Sequence, residues 1–421
     1  MKKYLLSIFL VVNFLYGVDA ELEILKKVTN IPSVSVKKSI DCDDKKLCRD
    51  IENLITKDLE VSGHFKTINT KYTLPLDTTP NMVTLKRENI DLYVTFNVKK
   101  EGKALNVSLK MYDINSRNLV INKTYTTSKA SRFPFLVHRV AIDINAHLNA
   151  PSIDWMNRFV IFSKYTGVKQ SEIVIADYTL TFQQTIIRGG FNIFPKWAGD
   201  EQEEFFFTSY VNSVPTLYKA NIYTGKRKRI LKSDGMIVAS DVSKDGNKVL
   251  VTMSPNSQPD IYEYNLKTKR KKRITRYKGI DVGGSYVDND TRVVFVSDRL
   301  KKPNIFAKSI NGKGVERMVY HGRNNSSCTT YNDMIIYSSR DTSSEFGFNT
   351  FNLYMISTKS SFIKKLTSSG INQFAKFSSN GESVLFIKKD KGKSYLGIIR
   401  LSYDRTYLFP LKVGKLQSID W

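Results

Sequence analysis

From residue 159 onward one pattern returns about every 44 residues, and no other feature constrains the fold as much. Each copy opens with a short apolar strand: FVIFS at 159–163, FFFTS at 205–209, VLVTM at 249–253, VVFVS at 293–297, IIYSS at 335–339 and VLFIK at 384–388. A polar turn and a second strand follow: IVIAD from 173, LYKAN from 217, IYEYN from 261, IFAKS from 305, LYMIS from 353 and LGIIR from 396. Between second strands the step is 44 residues three times running, then 48 and 43. A unit this small cannot bury its own apolar face, so it must stack on its neighbours. Its first strand is almost continuously apolar, as suits a strand covered on both faces. Six copies of a four-stranded unit at this spacing predict a six-bladed β-propeller. The turns SKDG (243–246), DND (288–290) and SSNG (378–381) precede the first strand. Their Asp, Asn and Gly tolerate the positive φ of a tight hairpin.

A propeller must close, often by letting one terminus complete a blade begun by the other. Ser418-Ile-Asp-Trp421 ends the chain and Ser152-Ile-Asp-Trp155 precedes the first copy. In the second copy Trp197 lies eight residues before Phe205, enough for a hairpin, whereas Trp155 lies only five before Val160. Residues 416–421 are therefore assigned to the inner strand of blade 1. Trp155 is expected to cover the propeller base or the joint between domains.

Residues 1–20, MKKYLLSIFLVVNFLYGVDA, read as a secretory signal: a Lys-Lys start, an apolar run and a small-residue cleavage site at Ala20. No later run approaches eighteen apolar residues, so no membrane span is expected in the mature chain. The formal net charge is +25, which in general points to a polyanionic partner. Much of it sits in KRKR (226–229) and KTKRKKR (267–273), after the second strand of a blade. Two readings stay open there. Lys and Arg protect a solvated blade edge from edge-to-edge pairing, or they attract anionic envelope polymers or lipid head groups. Nucleic acid fits poorly with export. Of three cysteines, Cys42 and Cys48 are six residues apart, and an oxidising compartment would permit a bridge between them. Cys328 falls in a blade, as a small buried thiol.

Residues 21–150 lack the repeat and read as a small α/β domain. A helix is expected over 44–61, with Leu47, Ile51, Leu54, Ile55 and Leu59 on one face. Asp43 or Asp44 would cap it and Gly63 would end it. Leu92, Val94, Phe96 and Val98 alternate along one strand and Leu105, Val107, Leu109 and Met111 along its partner. A third strand is expected over about 118–126 and a second helix over 134–148. The propeller would run from 151 to 421, and residues 21–38 would form a mobile arm or an edge strand.

This organisation resembles the TolB family of the Tol–Pal envelope system over nearly the whole mature chain. LCRDIENLITKDLEVSGHFKTI (47–68) resembles the family's first helix, and DLYVTFNVKKEGKALNVSLKMYDINSRNLV (91–120) its sheet. FPKWAGDEQEEFFFTSY (194–210) and ASDVSKDGNKVLVTMS (239–254) resemble its PAWSPDG–strand signature, which is eroded in most blades here. The resemblance implies a non-catalytic interaction protein of the periplasm, supporting outer-membrane integrity and cell division. It implies that the central opening receives a Pal-type peptidoglycan-binding lipoprotein through segments just before each inner strand. By position these are Asn192 and Ile193; Met236, Val238 and Ala239; Val282, Gly283 and Gly284; Asn325 and Ser326; Asn372 and Gln373; and Gln417. It also implies that an N-terminal arm of Glu21, Leu22, Glu23, Ile24 and Leu25 binds the C-terminal domain of TolA. Alternating apolar and acidic side chains suit addition to a sheet edge.

Propellers of this kind also precede the hydrolase domain of some serine peptidases. Such an enzyme needs a G-x-S-x-G elbow with Asp and His after it, and the sequence ends with its sixth copy. His64, His138, His147 and His321 have no metal-ligand spacing, and there is no phosphate-cradling or dinucleotide fingerprint. No cofactor or metal is expected. An exported propeller binding or cutting envelope polysaccharide remains the alternative.

Overall fold

The computed structural model describes residues 31–341 and 350–421. The signal segment and residues 21–25 lie outside the described residues. In the N-terminal part the elements run β1 (Ser33–Lys38), α1 (Lys45–Ser62), β2 (Lys66–Thr67), α2 (Met82–Arg87), β3 (Leu92–Glu101), β4 (Ala104–Asp113), β5 (Asn118–Thr127) and α3 (Phe133–His147). The sheet order is β2-β1-β3-β4-β5. The β3–β4 and β4–β5 pairs are antiparallel hairpins, while β1 lies parallel to both β2 and β3. The Asp44 carboxylate accepts from the Leu47 N–H and starts α1. Gly63 stops it, with φ of 81° and its N–H on the Glu60 carbonyl. One face of α1 and one of α3 pack on the alternating apolar side chains of β3 and β4.

Of the two readings of residues 21–38, the mobile arm is corrected and the strand holds at residues 33–38. Residues 33–38 form a strand inside the sheet, with β2 beyond its first two residues. Val34 and Val36 are buried, so leaving the sheet would expose apolar surface. The pattern also missed β2 and α2, both shorter than the window in which periodicity shows. α2 starts where the Asn81 side chain accepts from the Val83 and Thr84 N–H groups.

The propeller has six four-stranded blades. The inner strands of blades 2 to 6 are Asn192–Trp197, Ile237–Val242, Asp281–Val287, Arg323–Tyr331 and Ile371–Phe377, each followed by three antiparallel strands. A parallel bridge, Phe351 with Ile371, links the strand ladders of blades 5 and 6. Blade 1 is closed as expected: Lys415–Asp420 pairs antiparallel with Val160–Gly167. The continuous apolar strands follow from stacking. Phe205 and Phe207 pack with Ile161, Ile173 and Ile175 of blade 1, while Phe206 faces Val249 and Val251 of blade 3. Each such side chain contributes roughly 1.5–3 kcal/mol on burial.

The two parts share one core at blades 1 and 6. Trp155 is buried there, edge-on to Tyr178 and Trp421, so the two SIDW tryptophans meet. His138 of α3 places Nδ1 2.7 Å from Asp58 of α1 and Nε2 3.4 Å from Asp177 of blade 1. Tyr178 donates to Asp58 at 2.6 Å and Tyr407 to the Glu60 carbonyl at 2.9 Å.

Candidate binding site at the propeller axis

All six inner strands break register with the second strand of their blade at the same level. The shifts fall at Leu416/Ser418, opposite Phe206/Thr208, and at Ala239/Asp241, Val282/Ser285, Ser326/Thr329 and Gln373/Lys376. A bulge carries an extra residue and re-aims the side chains beside it. Phe194, Gly283, Ser327 and Phe374 take positive φ here. At Gly283 a Cβ would meet nothing within 4 Å but would be strained, which suits glycine.

These bulges surround a cavity of about 310 Å³ on the axis. Of the sequence-predicted residues, Met236, Val238, Ala239, Val282, Gly283, Gly284 and Ser326 line it. Only Met236 lies before its strand; the others stand within the inner strands, because pairing begins nearer the rim than the sequence indicated.

Four expected contacts are corrected, because their side chains are buried. Asn192, Asn325 and Asn372 are buried. Their amides donate to the carbonyls of Gly189, His321 and Ser369 in the preceding turn. They also reach back to the blade before: Ser171 O, Asn304 Oδ1 and Phe351 O. These three join blade to blade. Ile193 is buried in the wall. Gln417 accepts from Ser163 and Ser418, and neither it nor Gln373 lines the cavity.

Sequence reasoning missed Phe194 and Phe374, which the bulges place in the cavity, and a charged wall behind it. Lys196 Nζ is 3.2 Å from both Asp241 and Asp420. Lys376 Nζ is 3.6 Å from Asp420, whose other oxygen accepts from the Trp197 N–H at 2.8 Å. Burial would lower the Lys196 pKa, but Asp420 and Asp241 hold it above the usual ammonium range. Burial, reinforced by neighbouring Lys196, lowers that of Lys376. Register offered the one available signal: each of these lysines lies two residues beyond a bulge phenylalanine. Cys328 also lines the cavity, 3.5 Å from the Gly283 carbonyl, and burial pushes its thiol up to about 12. Such a thiol is no nucleophile near neutral pH.

Elsewhere the histidines serve packing or lie exposed. His64 Nδ1 meets the Asn145 side chain, His321 meets Tyr337, and His147 is exposed. Among the described residues no three His, Cys, Asp or Glu side chains could hold a metal ion, and no helix is long and apolar enough to cross a membrane. Cys42, just ahead of α1, is joined by a disulfide to Cys48 in its first turn.

Fold and site together define a six-bladed propeller with an α/β domain before it and an apolar, hydroxyl-rimmed recess on its axis. A TolB beta propeller domain model matches residues 157–421 and a TolB amino-terminal domain model matches 20–120. The Tol-Pal system protein TolB of Wolinella succinogenes is 44% identical over 422 residues, covering 100% of both chains. That of Campylobacter jejuni RM1221 is 40% identical over 424 residues, again covering 100% of both. The crystal structure of TolB from Acinetobacter baumannii superposes with a TM-score of 0.76 at 21% identity, covering 93% of this chain and 96% of that one. The chain belongs to the TolB family and is a component of the Tol-Pal system.

Proposed function

We propose that this chain is a non-catalytic periplasmic hub. Its axial recess receives a Pal-type peptidoglycan-associated lipoprotein, and Glu21–Leu25 bind the C-terminal domain of TolA. Through both contacts it supports outer-membrane integrity and constriction at division. The observation that carries the first contact is the ring of six aligned bulges. It turns the inner strands from a sealed barrel wall into a recess lined by Phe194, Met236, Val282 and Phe374. Apolar anchors within a pocket, rimmed by small hydroxyl side chains, suit an inserted protein segment. Residues on a rigid scaffold at a converging mouth are well placed for recognition.

Calorimetry with the Pal-type lipoprotein of the same organism tests the reading. Met236 is 44% exposed, so Met236→Asp leaves the fold intact. It should weaken binding at least about tenfold, equivalent to about 1.4 kcal/mol. Unchanged affinity, or turnover of envelope polysaccharide by the purified protein, overturns it. Deleting residues 21–25 should abolish TolA capture and leave the recess competent.

A further inference from the structure

Strand direction alternates within a blade, so the turn after the inner strand and the turn between the two outer strands share one end of the ring. Backbone bonds join them: the Ile222 N–H donates to Glu203 O and the Leu266 N–H to Asn247 O. This end is opposite the recess mouth. The N-terminal domain covers it at blades 1 and 6, through Tyr178 on Asp58 and Tyr407 on the Glu60 carbonyl.

At blades 2 and 3 the outer hairpins at this end are built alike. Asn221 Oδ1 accepts from the Tyr223 and Thr224 N–H groups, and Asn265 Oδ1 from those of Lys267 and Thr268. Gly225 and Lys269 then take positive φ and return the chain. Both basic segments sit on these tips and on the outermost strands Arg227–Lys232 and Lys271–Arg273. Arg273 pairs with Asp260. No other Lys or Arg of the two segments is ion-paired with a carboxylate among the described residues. In the inner turns of this end Asp245 is held by Asn247, Asp290 by the Lys244 N–H, Asp288 by Arg292, Asp200 by Arg158 and Glu204 by Lys219, while Glu201 and Glu203 of the blade 2 turn stay exposed, two carboxylates against the many cations of the two segments. The cationic flank continues to blade 4, where Lys272 reaches Asn311. Crowding there is real: burial, then Arg276, Arg299 and Lys272, lowers the Lys308 pKa.

We propose that this flank docks on an anionic phospholipid surface. Unpaired lysines and arginines on an exposed edge attract phosphate head groups, each adding to a potential that salt screens. The cations sit on hairpin tips and outermost strands rather than along a groove-lining strand, which suits a plane better than a threaded polymer. Tyr223 stands 60% exposed at the blade 2 tip, beside the first cations, in the position of an interfacial aromatic anchor. Protection of the edge from pairing needs only a few charges, and leaves the concentration on two adjacent blades and the exposed tyrosine unexplained. This inference is independent of what enters the recess, which faces away.

Vesicle co-sedimentation of the mature protein tests it, using phosphatidylglycerol–phosphatidylethanolamine vesicles against phosphatidylcholine. Binding should be confined to the anionic vesicles and fall at least tenfold between 50 and 500 mM salt. Lys228→Glu/Arg229→Glu/Lys271→Glu/Lys272→Glu should lose binding at least tenfold. A control with the same charge change on the other domain, Lys71→Glu/Lys100→Glu/Lys103→Glu/Lys129→Glu, should lose less than twofold. Tyr223→Ser should lose two- to fivefold at high salt. Unchanged thermal unfolding confirms that each variant is folded. Equal loss in both charge variants, equal binding to phosphatidylcholine, or retention by soluble anionic polysaccharide without vesicle binding would overturn the proposal.

Discussion

His138 shows how much one residue can hold. Burial alone would lower its pKa, but Asp58 and Asp177 on either side raise it to about 9. The groups around it are Asp58 from α1, Asp177 and Tyr178 from blade 1, and the ring of Phe135. Its folded pKa lies above the unfolded value near 6.5. Its contribution is therefore fully present below pH 6.5 and is lost as pH rises through about 9. The thermal midpoint should fall between pH 7 and pH 9.5, and His138→Gln should flatten that fall. Removing the imidazole leaves two carboxylates facing each other in the joint, so His138→Ala should cost about 3–5 kcal/mol in urea unfolding. The sequence reading placed His138 within the helix expected over 134–148, with no metal-ligand spacing. Its partners, 80 residues before it and 39 after, were invisible because no local spacing links them.

Among elements, α1 was the most legible. Its periodicity, Asp44 cap and Gly63 stop are all local features, and the structure has all three. Gly63 also has a role that local sequence cannot express. A Cβ there would lie 2.8 Å from the Tyr403 ring of blade 6. Gly63→Ala should cost about 1–2 kcal/mol for the left-handed backbone, and more for the clash at the joint, measured by chemical denaturation. Reducing the Cys42–Cys48 bridge should lower stability by about 2 kcal/mol, given so short a loop. The inner strands were least legible. Their bulges leave no composition signal, yet they decide that Phe194 and Phe374 enter the recess and that Asn192, Asn325 and Asn372 do not.

For the whole molecule, closure is the stringent test. The last strand buries Leu416 and Ile419 and ties blade 1 to blade 2 through Asp420 on the Trp197 N–H and Ser418 on the Phe194 N–H. Deleting residues 415–421 should remove about 5 kcal/mol or more and lower the thermal midpoint by about 10 °C. A synthetic peptide of residues 412–421 added in trans should restore part of it. A truncated protein as stable as the full chain would refute closure by this strand.

The number of blades and the longer helices and strands of the N-terminal domain were set by residues near one another in sequence. Apolar period and turn chemistry act over a few residues, and a 44-residue repeat multiplies that signal. The lining of the recess, the Lys196–Asp420 wall and the His138 joint were decided only when the ring closed. Each joins residues tens to hundreds of positions apart, and a change of one residue in strand register decides whether a side chain faces the axis or the wall.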